Sequence, residues 1–325
     1  MKRFALVVIF LILTAVTVYF FVALYPKLKI LNGYAAKKAC SCKFVADRDL
    51  SSIQKEDLAE APLNLAQLKL DLARKQVSSS VYGLGKQTAQ YKDGLGCVLV
   101  QGEDELNIQC ERPQRFEPDT SRSWPYGIKD VPIKTYGINS DKIDQALAYA
   151  FDKHGEYLKK TRALLIIQDD SIVAEKYAEG FDADTEILGW SMTKSMTNAL
   201  IGILVRKGIL DVHQNQLFPE WTDERSSIQL DNLLRMNSGL QWEEIYSEIA
   251  DATKMLFTEE DMAAYVLNSK LEFAPGSVFE YSSGTSNLLS QLIRNQFDYY
   301  DDYLDFPYNS LIDPLGMGSI GLETD

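Results

Sequence analysis

Trp190-Ser191-Met192-Thr193-Lys194-Ser195 is the stretch that decides how this chain is read. A Ser-x-x-Lys match alone is weak, since a chain of this length holds about one or two by chance. Ser52-Ile53-Gln54-Lys55 is a second one. Context separates them. Ser52 opens a short polar stretch (Lys55, Glu56, Asp57), where helix capping accounts for it. Ser191 follows Gly189-Trp190 and two strand-like runs. Arg162–Gln168, with its Ala-Leu-Leu-Ile-Ile core, reads as a buried strand; Asp169-Asp170 is a turn, and Ser171–Ala178 a return strand. A helix is expected over about 191–207, stopped by Gly208. Its packing side would be Met192, Met196, Leu200, Ile203 and Leu204, and its polar stripe Ser191, Lys194, Ser195, Asn198 and Gly202.

Positions i and i+3 share a helix face, which puts the Lys194 amine beside the Ser191 hydroxyl. A serine hydroxyl is a poor nucleophile until a base removes its proton. A lysine serves as that base only where burial or a helix N-terminus favours the neutral amine. The first backbone N–H groups of the helix are expected to face a developing oxyanion. The plainer alternative makes Ser191 an N-cap and Lys194 a solvated charge. A second constellation weighs against it. Pro275-Gly276 makes a rigid turn, and Tyr281-Ser282-Ser283 precedes an apolar helix with Leu288, Leu289, Leu292 and Ile293. A tyrosine beside a lysine ammonium ionises more easily, so Tyr281 is a candidate general base or acid.

Four segments occur in order: Trp190–Ser195; Leu233-Leu-Arg-Met-Asn-Ser-Gly-Leu240 with Trp242; Phe273-Ala-Pro-Gly276 through Tyr281-Ser-Ser283; and Asp313-Pro-Leu-Gly-Met317. Together they resemble the serine hydrolases related to class C β-lactamases, most of all the 6-aminohexanoate-dimer hydrolase branch. The resemblance spans about residues 130–325. It implies an α/β (α+β) fold with an antiparallel sheet flanked by helices, an acyl-enzyme mechanism, and no metal or cofactor. By motif position it implies Ser191 as nucleophile, Lys194 as its helper and Tyr281 as the catalytic tyrosine. Ser283, Trp190 and Asn198 are the substrate-binding candidates. Two departures stand out. The family's Tyr-x-Asn ends here in Ser283, a hydroxyl with fewer donors than a carboxamide. No Lys-Thr-Gly or His-x-Gly follows; Lys134-Thr135 is continued by Tyr136 and precedes Ser191. The chain is therefore expected to be a truncated hydrolase domain, incomplete at its C-terminus, with sheet strands missing beside Arg162–Gln168 and the edge left open.

Outside that region the sequence changes texture. Residues 1–26 hold an unbroken apolar run, Phe4 to Tyr25, after Met1-Lys2-Arg3. About 22 residues at ~1.5 Å rise each span a bilayer core, so an uncleaved signal anchor is preferred over a cleaved signal peptide. Lys27, Lys29, Lys37 and Lys38 after the run leave the charge rule for orientation unhelpful. Cysteine usage places the rest in the periplasm or outside. Cys40, Cys42, Cys97 and Cys110 suggest two disulfides, in which Cys40 and Cys42 each reach one of Cys97 and Cys110. Four buried thiols are the alternative.

Residues 27–130 read as a small β-rich module and linker, with short strands at Leu68–Val77, Ser80–Gly83, Thr88–Tyr91 and Cys97–Val100. Gly83–Thr88 superficially matches a phosphate loop, but Gln87 follows its lysine where Ser or Thr is required, so a hairpin is expected. Glu117–Gly127 reads as a linker. In the 131–325 domain, Ser140 is expected to cap a helix with Ile143, Ala146, Leu147, Ala150 and Phe151 on one face.

Composition bounds the partners. The 325 residues are 46% hydrophobic, enough for a sizeable core, and carry a net charge of −13. That acidity argues against nucleic acid or anionic lipid as the main partner. His154 and His213 have no Cys or His near either, which argues against a zinc site of ordinary ligand spacing. The expected partners are a small amide or ester substrate and a membrane engaged through residues 4–25. A penicillin-recognising enzyme and a non-catalytic binding or sensor protein are the rival readings.

Overall fold

The computed structural model describes residues 2–100, 113, 115, 121, 137, 139–151 and 159–324. The linker 117–127 (apart from Ser121), Cys110, Lys134 to Tyr136 and His154 lie outside the described residues. Described residues fall into two compact units. The first comprises 1–112, 188–304 and 322–325; the second comprises 113–187 and 305–321.

In the first unit, helix α1 (Lys2–Tyr19) runs through a π-helical turn (Phe20–Leu24) into α2 (Tyr25–Phe44). Pro26 ends the apolar run but not the helix. It sits in the first turn of α2, just after the π-helical turn, where its missing N–H costs least. Phe4, Leu6, Phe10 and Val22 are exposed. From Leu6 the helix is long and apolar enough to cross a membrane.

Past Pro26 the helix becomes a core element. Asn32, Gly33, Ala35, Ala36, Lys38, Ala39, Cys40, Ser41 and Cys42 are all buried on it. They pack against a four-stranded antiparallel sheet of β1 (Gln67–Asp71), β2 (Gln76–Val81), β3 (Leu84–Lys92) and β4 (Gly96–Val100), in that order. The expected strand Leu68–Val77 is split, because Asp71 Oδ1 accepts the Arg74 N–H at 3.1 Å and closes a turn. Ser80–Gly83 is the end of β2 plus a tight turn, with Tyr82 and Gly83 at φ +50° and +79°. Thr88–Tyr91 is the middle of β3, a longer strand than the sequence suggested.

Two covalent or ionic ties hold α2 in place. Cys40 is disulfide-bonded to Cys97 on β4, one of the pairings left open above. Asp57 forms ion pairs with Lys38 (3.4 Å) and Arg48 (2.8 Å), all three side chains nearly fully buried. Asp57 follows α3 (Leu50–Glu56), whose N-cap is Asp49. Ser52 is thus inside α3 rather than at its start, where it accepts a hydrogen bond from Arg48 at 3.1 Å.

Beyond β4 the described part of the first unit is built mainly of helices joined by loops. Helices α5 (Thr193–Arg206), α6 (Leu230–Leu234), α7 (Asp251–Thr258) and α8 (Met262–Leu267) surround α9 (Ser283–Arg294). Leu288, Leu289, Leu292 and Ile293 of α9 are buried with Leu200, Ile201, Leu204, Leu230, Leu233, Met255 and Val266. The apolar positions recur every three or four residues, and that stripe buries α9 among its neighbours. Helix α2 also packs on α7, where a Cβ on Gly33 would come within 3.0 Å of Phe257.

The second unit contains α4 (Ser140–Ala150) and a β-hairpin of β5 (Ala163–Gln168) and β6 (Ser171–Tyr177). The α4 cap is Asn139, which accepts the Lys142 N–H at 3.1 Å, and not Ser140. Strand β5 is not buried as expected: among the described residues it pairs only with β6, and Leu165 and Ile167 are about half exposed. The Asp313–Met317 motif is knit by Arg115, which donates to Asp313 Oδ1 (3.0 Å) and to the Ile320 and Met317 carbonyls. Helix α10 (Tyr300–Pro307) links the two units along the chain.

Candidate active site

Ser191 lies in a 3-10 turn (Trp190–Met192) that leads directly into α5. Trp190 adopts φ +47°, a left-handed backbone that a bulky side chain rarely takes up. Such outliers persist where the surroundings over-determine them. Here the Trp190 indole stacks on Tyr34 of α2, centroids 6.0 Å apart and rings 5° from parallel. The Lys38 ammonium lies 5.5 Å from its centroid. The N-terminal helix therefore braces the residue before Ser191.

The 3-10 start alters two expectations. Met192 is not on the packing side but 70% exposed, because the tighter turn rotates it away from the buried stripe. The Met192 N–H donates to the Gly189 carbonyl at 3.0 Å, and the Thr193 N–H points back to Ser191 and Trp190. Those two N–H groups are already used within the turn and do not face an incoming oxyanion.

Lys194 Nζ stands 3.1 Å from Ser191 Oγ and 3.1 Å from Ser283 Oγ. It also lies 5.0 Å from the centroid of the Tyr281 ring, a cation–π contact. Four of the residues singled out from the sequence thus meet around one ammonium. Ser191 and Tyr281 are exposed and Ser283 is buried, so the cluster opens to solvent on one side. Asn198 is exposed one turn beyond Lys194 on α5, and among the described residues no hydrogen bond joins it to the cluster.

Tyr281 and Ser283 reach this place because two distant motifs are laced together. Met236 accepts the Glu280 N–H (2.7 Å), Asn237 the Gly276 N–H (2.8 Å), and Gly239 the Glu272 and Phe273 N–H groups. Gly239 permits the lacing: at φ +78°, with Phe273 O only 2.1 Å from where a Cβ would stand, no other residue fits. Ser282 then caps α9 by accepting the Thr285 N–H at 2.9 Å.

Sequence reasoning missed Glu244 and Tyr246. Glu244 is half-buried beside Ser283 and is held by four donors. Its Oε1 accepts from Ser283 Oγ and Tyr246 Oη, both at 2.5 Å. Its Oε2 accepts from the Ser283 N–H (2.8 Å) and Trp242 Nε1 (2.5 Å). Burial pushes the carboxyl up, but hydrogen bonds from Ser283, Tyr246 and Trp242 outweigh it and hold it below the usual range. Burial and the neighbouring Glu244 raise the Tyr246 phenol to about 12. The available signal was Trp242-Glu243-Glu244, acids placed directly after the Leu233–Leu240 motif.

An exposed hydroxyl hydrogen-bonded to an amine, with a tyrosine ring on that amine's other side, is suited to acyl transfer from an amide or ester. Comparison with known families agrees: residues 153–325 match the family described as Beta-lactamase. The chain belongs to the β-lactamase family. That is the serine-hydrolase-related family that the four sequence motifs implied. No protein of the curated set matches the chain.

Among solved structures, one similar chain is a candidate β-lactamase from Bacteroides dorei DSM 17855. It shows 22% identity and a TM-score of 0.43, with 55% of this chain and 52% of that chain covered. Another is a candidate 6-aminohexanoate-dimer hydrolase from Bacillus anthracis, at 19% identity and a TM-score of 0.40, with coverages of 51% and 45%. This β-lactamase-family chain spans about half the length of those structures.

Proposed function

We propose that this protein is a membrane-anchored serine hydrolase that cleaves an amide or ester through an acyl-enzyme on Ser191. The carrying observation is the Ser191–Lys194–Ser283 chain, two 3.1 Å contacts at the exposed start of α5. In the first step Ser191 Oγ bonds to the substrate carbonyl carbon, and its proton passes to whichever partner stands deprotonated, Lys194 as the neutral amine or Tyr281 as phenolate. The same proton goes to the departing amine or alcohol as the scissile bond breaks. Water then attacks the ester, and Ser191 recovers its proton. Trp190, exposed beside Ser191, offers the substrate an aromatic wall.

The anchor is the apolar helix at residues 4–25, and the hydrolase lies on the periplasmic or outer side. The Cys40–Cys97 disulfide supports that side, since such bonds persist in oxidising compartments. Ser283 favours linear amides or esters over penicillins, because its single proton goes to Glu244 and it has none to give a substrate amide.

The test is hydrolysis of p-nitrophenyl esters and short amides by the full-length gene product, with Ser191→Ala beside it. Loss of turnover and of fluorophosphonate labelling in the variant is expected; undiminished turnover overturns the proposal. Labelling by a fluorescent penicillin in place of esters transfers the assignment to a penicillin-recognising enzyme.

A further inference from the structure

We infer that Glu244 is a positioning residue that sets the Lys194 amine against Ser191 by acting through the Ser283 hydroxyl. The inference rests on the Ser191 reading above and extends it to how the amine is aimed. Ser283 has one hydroxyl proton, and Tyr246 has one. Both are given to Glu244 Oε1, at 2.5 Å each. Ser283 Oγ therefore meets Lys194, at 3.1 Å, with a lone pair. A serine free to rotate would offer its proton or its lone pairs; this one is locked as an acceptor. A hydroxyl already donating to a carboxylate is also a stronger acceptor, through polarisation along the chain.

Glu244 is itself fixed. Its other oxygen takes the Ser283 N–H and the Trp242 indole, which leaves no open position for a substrate cation. Trp242 is buried, and Gly284 lets it lie there, since a Cβ at 284 would come within 2.6 Å of its ring. The charge is thus held by packed groups on two segments and delivered to Lys194 across one hydroxyl. Among the described residues, the titratable groups around the amine are Glu244 and Tyr246 on the loop after the Leu233–Leu240 motif, and Tyr281 on the loop before α9. With Gln at 244, one side of the amide is an N–H2 group that accepts nothing, so either the Ser283–Tyr246 pair or the Ser283 N–H–Trp242 pair loses its acceptor.

The experiment is a double-mutant cycle on the full-length gene product in detergent. It follows the rate at which a fluorophosphonate bonds to Ser191 Oγ with loss of fluoride, read by intact mass. Glu244→Gln and Ser283→Ala are each expected to slow labelling about tenfold or more, the scale of a misaimed reacting group. The double variant is expected to be no slower than Ser283→Ala alone, because Glu244 acts through that hydroxyl. The pH profile of labelling is a second readout: a purely structural carboxylate would leave its shape unchanged, and Glu244→Gln is expected to alter it.

Wild-type labelling rates in Glu244→Gln overturn the inference. So does a Glu244→Gln loss that recurs undiminished on the Ser283→Ala background, which would mark a purely structural carboxylate. A wild-type chain that never labels at Ser191 overturns the site reading itself. If Glu244→Gln fails to fold by thermal melting, Glu244→Asp, which withdraws the charge by one methylene, is read in the same cycle with the same outcomes.

Discussion

The chain contains the pattern Ser-x-x-Lys twice within its first compact unit, and the two copies have little in common beyond the letters. Ser52 and Lys55 sit in α3, where Ser52 accepts from Arg48 and Lys55 points into solvent. Ser191 and Lys194 sit at the mouth of α5, where the amine is shared among Ser191, Ser283 and the Tyr281 ring. Helical spacing supplies the pair in both places. Only the second is met by side chains from about 90 residues further along the sequence. Chemistry here comes from the segment that arrives, not from the motif that waits for it.

The sharpest way to break that contrast is to remove each serine. Ser191→Ala should abolish ester turnover, a fall of at least about three orders of magnitude for losing a nucleophile. Ser52→Ala should leave turnover intact. Equal losses in both would mean that the α5 pair has no special role.

A smaller effect is expected where the arriving segment is anchored. Gly284→Ala places a methyl within 2.6 Å of the Trp242 ring, backed by Glu244. Overpacking of this kind costs about 1–3 kcal/mol, visible as a lowered Tm. Labelling of Ser191 should fall with it, because α9 carries Ser283. An unchanged Tm would show that Trp242 moves aside freely.

Acid should weaken the same anchor. Glu244 titrates below its ordinary range in the folded chain. Its contribution to stability is therefore intact above the unfolded carboxylate value, about 4.3, and is lost as pH falls through the lower folded value. The Tm advantage of wild type over Glu244→Gln should persist at neutral pH and shrink below about pH 4. A difference that grows in acid would contradict the hydrogen-bonded carboxylate.

How far these features were legible depends on the range of the interactions that make them. Local ones were plain. The i, i+3 placing of Ser191 and Lys194, the Gly208 stop at φ +72° and the α9 stripe follow from spacing alone. Tyr281 was legible through its motif. Glu244 was not, because nothing local distinguishes it from its neighbour Glu243; only tertiary packing brings Ser283 and Trp242 to one of the two acids. The β5 strand misled for the opposite reason. An apolar run predicts burial only if another layer covers it, and among the described residues β5 pairs with β6 alone. The turn after Asp71 was hidden because Leu68–Val77 is apolar enough to read as one strand, and a single side-chain acceptor breaks it.

The smallest effect belongs to the other Ser-x-x-Lys copy, and it is the most diagnostic. Ser52 is partly exposed and accepts one hydrogen bond, from Arg48 Nη2 at 3.1 Å. The same guanidinium reaches Asp57 through Nη1 at 2.8 Å, so removing the hydroxyl leaves Arg48 paired with that carboxylate. Ser52→Ala should then cost no more than about 0.5–1 kcal/mol, the net worth of one hydrogen bond, partly returned by alanine's higher helix propensity. Asp57→Ala at the same spot removes the carboxylate shared by two nearly buried cations, Lys38 and Arg48, and should cost about 3–5 kcal/mol. If urea unfolding ranked these two variants the other way round, Ser52 would hold more of α3 than its single contact explains. The first Ser-x-x-Lys would then share with the second the property that now separates them: dependence on what another segment brings to it.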